Sequence, residues 1–479
     1  MSGLMPTSAM LAALTLIPLI RQSDAISRGV WAASWGSVPT GCSNLEPMVW
    51  LPGEFHPGAS SESVDGEALA RQLMQHPRGR RVLLVNRYCH SFWGYQPDLI
   101  KGDLVAPLAG PWADSVLPEI TKDWPQILRI VKACGGTIDY LACDFEEWGN
   151  FTTWNLTDAQ ITAIRSDSRW SLSHFGAPSM REMMSSFSEL SASDIKDARQ
   201  DAYLRWNYAI GRTTVAYMNK AVWSPAVTAF PSVIGSNYRG WTTPPDPAPC
   251  GNGHLQPEDN VLGNAVSPSL YGEIESLVSR YIDPINPTLM IRQPVAGAVA
   301  FTRGPWQSFL VAQQQARAAV RGSRGRPFLP WVAHASYDGT PSGKGFVGFP
   351  VDLRCYDEHI RHTILLGAQV LLWWRNPTDH PEPDAYRLNQ IISDSNEHCL
   401  GRILKPVSLE SVSFLAHSVL SGAQRVDGKW IWRISVSPRV YEVKDAKTGE
   451  RIEIPQGTLG VWKMTDTADP PNIVVKVAE

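Results

Sequence analysis

The chain has 479 residues, of which 43% are hydrophobic and 19% are charged, and its formal net charge is −3. This composition excludes a disordered chain, which needs few apolar residues and a high net charge, and it argues against a coiled coil. Because no cluster of Lys or Arg stands out, we expect no nucleic-acid partner. The 19 Trp outnumber the 13 Tyr and the 13 Phe. They indicate either core packing or surfaces that stack on the flat apolar faces of sugar rings.

An apolar run at residues 11–20 (LAALTLIPLI) is too short to span a bilayer. Residues 23–25 (SDA) follow it with the small-x-small pattern of a signal-peptide cleavage site. We therefore expect residues 1–25 to be a signal peptide and the protein to be secreted or periplasmic. Because no Lys or Arg precedes the run, a buried N-terminal helix stays open as the alternative. No longer apolar run occurs, so we expect no membrane span.

From residue 26 to residue 405, short apolar runs that end in polar or aromatic residues alternate with helical patterns. The predicted strands are residues 29–35, 82–85, 137–143, 228–234, 264–270, 294–301, 328–333 and 369–372. The predicted helices are residues 66–76, 117–134, 195–223, 272–283, 306–322 and 353–367. This alternation predicts an α/β fold, and about eight units suit a (β/α)8 TIM-like barrel. A doubly wound sheet is the competitor, but the G-x-G-x-x-G turn typical of it does not follow the first strand.

The pattern changes at about residue 406. Short strand-like runs follow one another without a long helix, and Asp427-Gly428 and Thr448-Gly449 are hairpin turn signals. We therefore predict a small β-sandwich module over residues 406–479.

The strongest chemical signal is Asp144-Phe145-Glu146 at the end of the third predicted strand. Strand residues two apart lie on one face, so Asp144 and Glu146 are predicted to face the mouth of the barrel together. Two close carboxylates cannot both ionise cheaply, so one pKa rises. A carboxylic acid that stays protonated near neutral pH is what glycosidic bond cleavage needs. An apolar strand that ends in D-x-E also suits a metal site or a helix cap.

The surrounding sequence resembles the hyaluronidase family of glycoside hydrolases. The family's catalytic strand ends in D-[WF]-E-x-W, and residues 144–148 match every fixed position. Three shorter segments resemble other family strand ends in the same order, at residues 230–238, 267–271 and 367–373. The resemblance implies a retaining mechanism in which the 2-acetamido group of the substrate replaces a protein nucleophile, an exception to the usual pair of carboxylates.

By this resemblance Glu146 is the general acid and base, and Asp144 shares its proton or orients the acetamido N–H. Tyr271 and Tyr238 bind the acetamido group, and Trp373 is the floor under the sugar. The residues predicted from their strand-end positions to contact the substrate are Trp148, Arg87, Tyr88 and Asn376, with Arg87 suited to a uronate carboxylate. We predict no cofactor and no metal, because residues 357–362 fit a solvated helix face better than a set of ligands. The expected partner is a polysaccharide or oligosaccharide. The resemblance also implies a Cys42–Cys399 disulfide.

The sequence departs from the family at several points. Gly149-Asn150 replaces the usual Arg-Pro, and residues 406–479 lack the family's C-terminal cysteines. Hyaluronan therefore does not follow as the substrate. Two alternatives stay open: a carbohydrate-binding barrel without activity, and a glycosidase with a conventional nucleophile such as Asp338 or Asp379.

Overall fold

The structure of the chain is a computed structural model. The described residues are 29–53, 63–88, 111–144, 159, 162, 165, 166, 219–237, 263–268, 270, 305–323, 325–332, 352–374, 382–406, 414–415, 418–467 and 472–478.

The first part of the chain forms two four-stranded parallel sheets. One contains β1 (Trp31–Ser34), β2 (Leu45–Pro47), β7 (Trp331–Val332) and β8 (Val370–Trp373), in the order β2-β1-β8-β7. The other contains β3 (Val49–Trp50), β4 (Val82–Val85), β5 (Tyr140–Cys143) and β6 (Ile234–Asn237), in the order β3-β4-β5-β6. Every pairing in both sheets is parallel. Parallel sheets of this kind belong to an α/β fold, as the alternation in the sequence predicts.

Backbone hydrogen bonds link the two sheets at both ends. At one end only Met48 separates β2 from β3, and its N–H donates to the carbonyl of Ser34 in β1 (2.7 Å). At the other end the N–H groups of Asn264 and Ala265 donate to Gly235 in β6. From there Val266 bridges to residue 328, and residue 328 bridges to residue 368, just before β8. The two sheets are thus linked at two places: Met48 connects β2 to β3, and residues 264–266 connect β6 to the segments that precede β7 and β8.

The contact between β6 and residues 263–265 requires glycine. A Cβ on Gly235 would lie 2.5 Å from the carbonyl oxygen of Leu141, and one on Gly263 would lie 2.1 Å from that of Gly235. Gly263 also has φ +81, a conformation that side chains rarely adopt. The backbones therefore approach here to a distance that only glycine allows.

The helices are α1 (Gly66–Met74), α2 (Pro111–Ala133), a π-helical turn (Asn219–Trp223), α3 (Ser224–Ala229), α4 (Pro305–Ser323), α5 (Leu353–Leu365) and α6 (Glu382–His398). Asp65 caps α1 by accepting hydrogen bonds from the N–H groups of Glu67 and Ala68. Among the described helices, none is long and apolar enough to cross a membrane.

Successive strand residues alternate between two apolar layers, as extended chains must. We call one of the two layers the interior cluster. Its members are Trp31, Ala33, Met48, Val82, Leu84, Tyr140, Ala142, Ala265, Leu329, Trp331, Val370 and Leu372. Ile234 packs against them. The residues between them, such as Ala32, Leu83 and Leu371, join clusters that contain helix side chains. The helices therefore cover one face of the strands, and the interior cluster fills the other.

The C-terminal part is all β. Its strands are β9 (Phe414–Leu415), β10 (Val419–Val426), β11 (Lys429–Val436), β12 (Val440–Asp445), β13 (Gly460–Thr465) and β14 (Ile473–Val477). They form an antiparallel sheet β13-β11-β10-β9 and an antiparallel pair β12-β14. Both contribute to one apolar cluster. Asp427 and Gly428 both have positive φ, so the hairpin predicted there is confirmed.

Several elements differ from the sequence prediction. Residues 45–50 are strands that the prediction missed, because Glu46 and Pro47 interrupt their apolar run. The strand predicted at residues 228–234 was wrong in its position. Ser224–Ala229 is helical, and the strand β6 begins only at Ile234. Helix α6 was not predicted. The predicted strand 294–301 and helix 272–283 lie outside the described residues.

Candidate functional site

Five strand ends each carry one partly exposed residue with the parity of the interior cluster. Continuing the interior alternation by two residues gives one candidate from each of five strands: Trp35 after Ala33, Trp50 after Met48, Asn86 after Leu84, Asp144 after Ala142 and Trp374 after Leu372. The residues that precede them are buried, whereas these five are half-buried. We call these five residues the mouth. In barrels of parallel strands this end is where active sites lie.

The aromatic members of the mouth are held by specific contacts. The ring centroids of Trp35 and Trp50 lie 4.4 Å apart at an interplanar angle of 84°. The indole N–H of Trp50 donates to the carbonyl of Trp35 (3.1 Å). Trp35 also contacts the ring of Trp331, with centroids 6.0 Å apart. Trp374 packs against the interior cluster, and its backbone N–H donates to Val332 (2.8 Å). These indoles have little freedom to rearrange.

Asp144 is the acidic member of the mouth. Its backbone N–H donates to the carbonyl of Val85 (3.0 Å), so it still belongs to the ladder between β4 and β5. It has the same strand parity as Tyr140 and Ala142 of the interior cluster, as the sequence predicts. The preceding residue, Cys143, lies in the outer cluster, where burial and the nearby Asp144 carboxylate raise the pKa of its thiol. Cys143 therefore stays protonated near neutral pH and is a poor nucleophile.

The structure separates two adjacent tryptophans. Trp373, predicted as the floor under the sugar, belongs to the outer apolar cluster and is 1% exposed. Trp374 is the residue that packs against the interior cluster at the mouth. The two have opposite strand parity, so only one of them can face the interior. The role predicted for Trp373 stays a prediction. The position of Trp374 at the mouth favours Trp374 for that role.

Arg87 and Tyr88, both predicted to contact substrate, are buried beside α2. The Arg87 Nε and the Tyr88 hydroxyl each donate to Asp123 Oδ2, at 3.1 and 2.9 Å. Arg87 also donates from Nη1 to the carbonyl of Pro52 (3.3 Å). Burial, followed by the charge of Asp123, raises the pKa of Tyr88 well above its usual value. These contacts fix the end of β4 to α2, and the substrate roles stay predictions.

The remaining predicted site residues lie outside the described residues. They are Glu146, Trp148, Tyr238, Tyr271 and Asn376, together with Asp338 and Asp379 of the alternative mechanism. Four of them closely follow described residues in the sequence. Glu146 is two residues after Asp144, Asn376 is two after Trp374, and Tyr238 and Tyr271 directly follow residues 237 and 270.

The part of the chain that the structure describes contains no cluster of three or more His, Cys, Asp or Glu arranged for a metal. The expectation of a solvated helix face at residues 357–362 was wrong, because Glu358, His359 and His362 are all buried. The Gln313 amide N–H donates to the carbonyl of His359 (3.0 Å), and His362 Nε2 lies 2.9 Å from Ser435 Oγ. Cys42 and Cys399 are both buried free thiols, so the implied disulfide is absent.

No protein-family model matches the chain, and no curated protein matches it. Solved structures that resemble it include an α-galactosidase from Lactobacillus brevis, at 10% identity and a TM-score of 0.41, over 95% of this chain and 56% of that one. A GH36 α-galactosidase from Geobacillus stearothermophilus has 8% identity and a TM-score of 0.38, over 92% and 55%. A cyclic α-maltosyl-(1→6)-maltose hydrolase from Arthrobacter globiformis has 10% identity and a TM-score of 0.31, over 95% and 100%.

The chain spans about half the length of the two α-galactosidases. TM-scores and identities this low establish neither a common fold nor a common activity.

Proposed function

We propose that this protein is a glycoside hydrolase whose catalytic carboxylates are Asp144 and Glu146. The observation that carries the proposal is the position of Asp144, half-buried at the carboxyl end of β5 with the parity of the interior cluster. Three Trp and one Asn end neighbouring strands at the same mouth. Sugar sites typically combine aromatic surfaces with a few placed polar groups. The D-x-E spacing assigns Glu146 to the same face as Asp144.

We also propose that the two parallel sheets form one (β/α)8 barrel and that residues 406–479 form a β-sandwich. The barrel is supported by the backbone hydrogen bonds that tie β1 to Met48 and β6 to residues 264–265, and by the bridges through residue 328. The sandwich is supported by the apolar cluster that the two C-terminal sheets share. The leader-like residues 1–25 favour export.

The proposed chemistry is a retaining hydrolysis of an N-acetylhexosamine linkage. Protonated Glu146 donates its proton to the glycosidic oxygen while the acetamido oxygen of the sugar attacks the anomeric carbon and the leaving group departs. Glu146, now a carboxylate, takes a proton from water as that water attacks the anomeric carbon and the bond between this carbon and the acetamido oxygen breaks. This step releases the sugar and restores the acid. The nearby Asp144 carboxylate favours the protonated form of Glu146 before the first step.

The other proposed roles concern binding. Tyr271 and Tyr238 hold the acetamido group, and Trp148, Arg87, Tyr88 and Asn376 are candidates for further contacts. Trp374 takes the place of Trp373 as the floor under the reacting sugar.

The decisive test is Glu146→Gln in a reducing-end assay over glycosaminoglycans, chitin oligomers and peptidoglycan. Removal of a general acid costs about 10²–10⁴-fold in rate, so we expect that loss on whichever glycan the wild type cleaves. Glu147→Gln is the matched control, since Glu147 is the adjacent carboxylate with the opposite parity, and it should keep most of the activity. Full activity in Glu146→Gln would refute the assignment.

The same assay distinguishes the proposed function from its two alternatives. If no glycan is cleaved by the wild type but some glycan binds, the barrel is a carbohydrate-binding protein, which the replacement of Arg-Pro by Gly149-Asn150 favours. If hydrolysis occurs but thiazoline-type mimics of the acetamido intermediate do not inhibit it, a conventional nucleophile such as Asp338 or Asp379 replaces the acetamido group.

A further inference from the structure

The mouth has an aromatic half and a polar half. Trp374, Trp35 and Trp50 end β8, β1 and the β2–β3 segment, which are consecutive neighbours across the strands. Asn86 and Asp144 end the next two strands, β4 and β5. The tryptophans are therefore contiguous, and the carboxylate lies beyond one edge of their arc.

The strand registers support this arrangement. Ser34 pairs with Trp373, so their successors Trp35 and Trp374 lie at the same level. Val85 pairs with Cys143, which sets Asn86 beside Asp144 in the same way. Neighbouring strands lie about 4.8 Å apart, so three strand ends span roughly 10 Å. This width exceeds what one pyranose ring covers.

The aromatic arc is preorganised. Trp50 is held by its indole hydrogen bond to the carbonyl of Trp35, and its ring stands edge-to-face on that of Trp35. All three tryptophans pack on the interior cluster and yet remain partly exposed. A rigid aromatic surface loses little conformational entropy when a ligand binds to it.

We propose that Trp35 and Trp50, which adjoin Trp374 in the mouth, form an extended sugar-binding subsite that holds pyranose units flanking the reacting unit on Trp374. This inference rests on the proposed function and specifies its substrate class, an oligosaccharide or polysaccharide chain instead of a single sugar. The apolar faces of successive rings lie on the indoles, while hydroxyl groups toward the polar half find hydrogen-bond partners in Asn86 and Asp144. Trp35 and Trp50 are positioned to bind the substrate chain and take no part in bond cleavage.

The test is calorimetric binding of chitin disaccharide and chitin hexasaccharide to Glu146→Gln, with and without Trp50→Ala. We expect Trp50→Ala to weaken hexasaccharide binding at least tenfold, the usual effect of losing an aromatic anchor, and to leave disaccharide binding within about twofold. Trp50→Phe should retain most of the affinity. Trp430→Ala is the matched control, because Trp430 is a half-buried tryptophan of β11 paired with Trp432, and it should change neither affinity.

Trp35→Ala, with folding checked by circular dichroism, provides a second variant if Trp50→Ala does not fold. The subsite proposal is overturned if hexasaccharide affinity survives both alanine variants, if both sugars lose affinity equally, or if neither sugar binds Glu146→Gln. Because binding is measured without turnover, its outcome is separate from that of the proposed function. Full hydrolytic activity in Glu146→Gln would refute the catalytic assignment, whereas loss of the dependence of affinity on chain length in an inactive Glu146→Gln would refute only the subsite.

Discussion

Two carboxylates illustrate how differently this protein uses the same chemical group. Asp144 lies half-buried at the end of β5, beside Asn86 at the end of β4. Glu358 on α5 is fully buried and accepts hydrogen bonds from Arg433 Nε (2.7 Å), Ser435 Oγ (2.6 Å) and Arg361 Nη1 (3.2 Å). The carboxylate of Glu358 is thus held by protein donors inside the structure, whereas Asp144 is half-buried at the end of a strand.

The surroundings of Glu358 show what its position achieves. Arg433 and Ser435 belong to β11, so the carboxylate joins α5 to the C-terminal sheet across a buried interface. A Cβ on Gly460 of β13 would lie 2.5 Å from Glu358 Oε2, so that strand also closes on the carboxylate. A buried ion pair adds little net stability, but loss of one partner leaves an uncompensated charge. Glu358 therefore serves the attachment of the sheet to the helix.

The largest expected effect comes from Asp144→Asn. If Asp144 supports Glu146, kcat should fall by about two to four orders of magnitude. The free energy of unfolding should change by less than about 1 kcal/mol or increase, because catalytic residues are often kept at the expense of stability. Steady-state kinetics and urea unfolding of the same preparation measure both. A large loss of stability with full activity in the folded fraction would reverse the contrast with Glu358.

Glu358→Gln should show the opposite pattern. Neutralising one member of a buried, hydrogen-bonded pair costs about 3–5 kcal/mol of unfolding free energy, while kcat per folded molecule stays close to that of the wild type. Glu397→Gln, at an exposed position on α6, is the control and should have little effect. The double replacement Glu358→Met and Arg433→Met should recover part of the stability, because Arg433 is then not left buried without its carboxylate. A Glu358→Gln protein as stable as the wild type would contradict the structural role.

The contrast between Asp144 and Glu358 shows which parts of the structure the sequence could predict. The D-x-E motif and strand alternation were enough to predict the face on which Asp144 lies. The choice between Trp373 and Trp374 could not be made, because residues 370–374 are apolar at every position. A parallel strand is buried on both faces, so its sequence has no periodicity to show which residue points inward. Only the packing of Trp374 on the interior cluster separates the two.

The role of Glu358 was hidden for a different reason. The polar residues of 357–362 have the composition of a solvated helix face, and the β11 partners of Glu358 and His362 lie more than seventy positions further along the chain. Nothing local to the helix indicates that a second sheet covers it. The missed strand at residues 45–50 is similar, because Pro47 weakens its local pattern and its pairing to β1 and β4 supplies what the local sequence lacks.

The same interface predicts a moderate dependence of stability on pH. Burial lowers the pKa of His359 to about 3, and burial together with the charge of Arg433 lowers that of His362 well below 6.5. Below about pH 6.5 the unfolded chain binds protons at these histidines and the folded chain does not. Stability should therefore be complete above that pH and fall as the pH decreases, by up to about 1.4 kcal/mol per pH unit for each histidine.

Urea unfolding between about pH 6.5 and pH 4.5 measures this slope. His359→Gln should reduce it by about half, because one of the two buried histidines is removed. His398→Gln, which replaces a partly exposed histidine of α6, is the control and should leave the slope unchanged. Equal slopes in the wild type and in His359→Gln would show that His359 is not held neutral by burial.

The smallest expected effect concerns a third carboxylate, which is exposed and acts only on its own helix. Asp65 accepts hydrogen bonds from the N–H groups of Glu67 and Ala68 at the start of α1. Its ion pair with Arg71 Nη2 on the same helix (4.0 Å) joins two exposed side chains and adds little to stability. Asp65→Ala should lower the free energy of unfolding by about 1 kcal/mol and leave kcat unchanged. Asp65→Asn keeps the acceptor and should restore most of the loss. If Asp65→Ala costs as much as Glu358→Gln, burial is not what separates these carboxylates, and the contrast between Asp144 and Glu358 loses its physical basis.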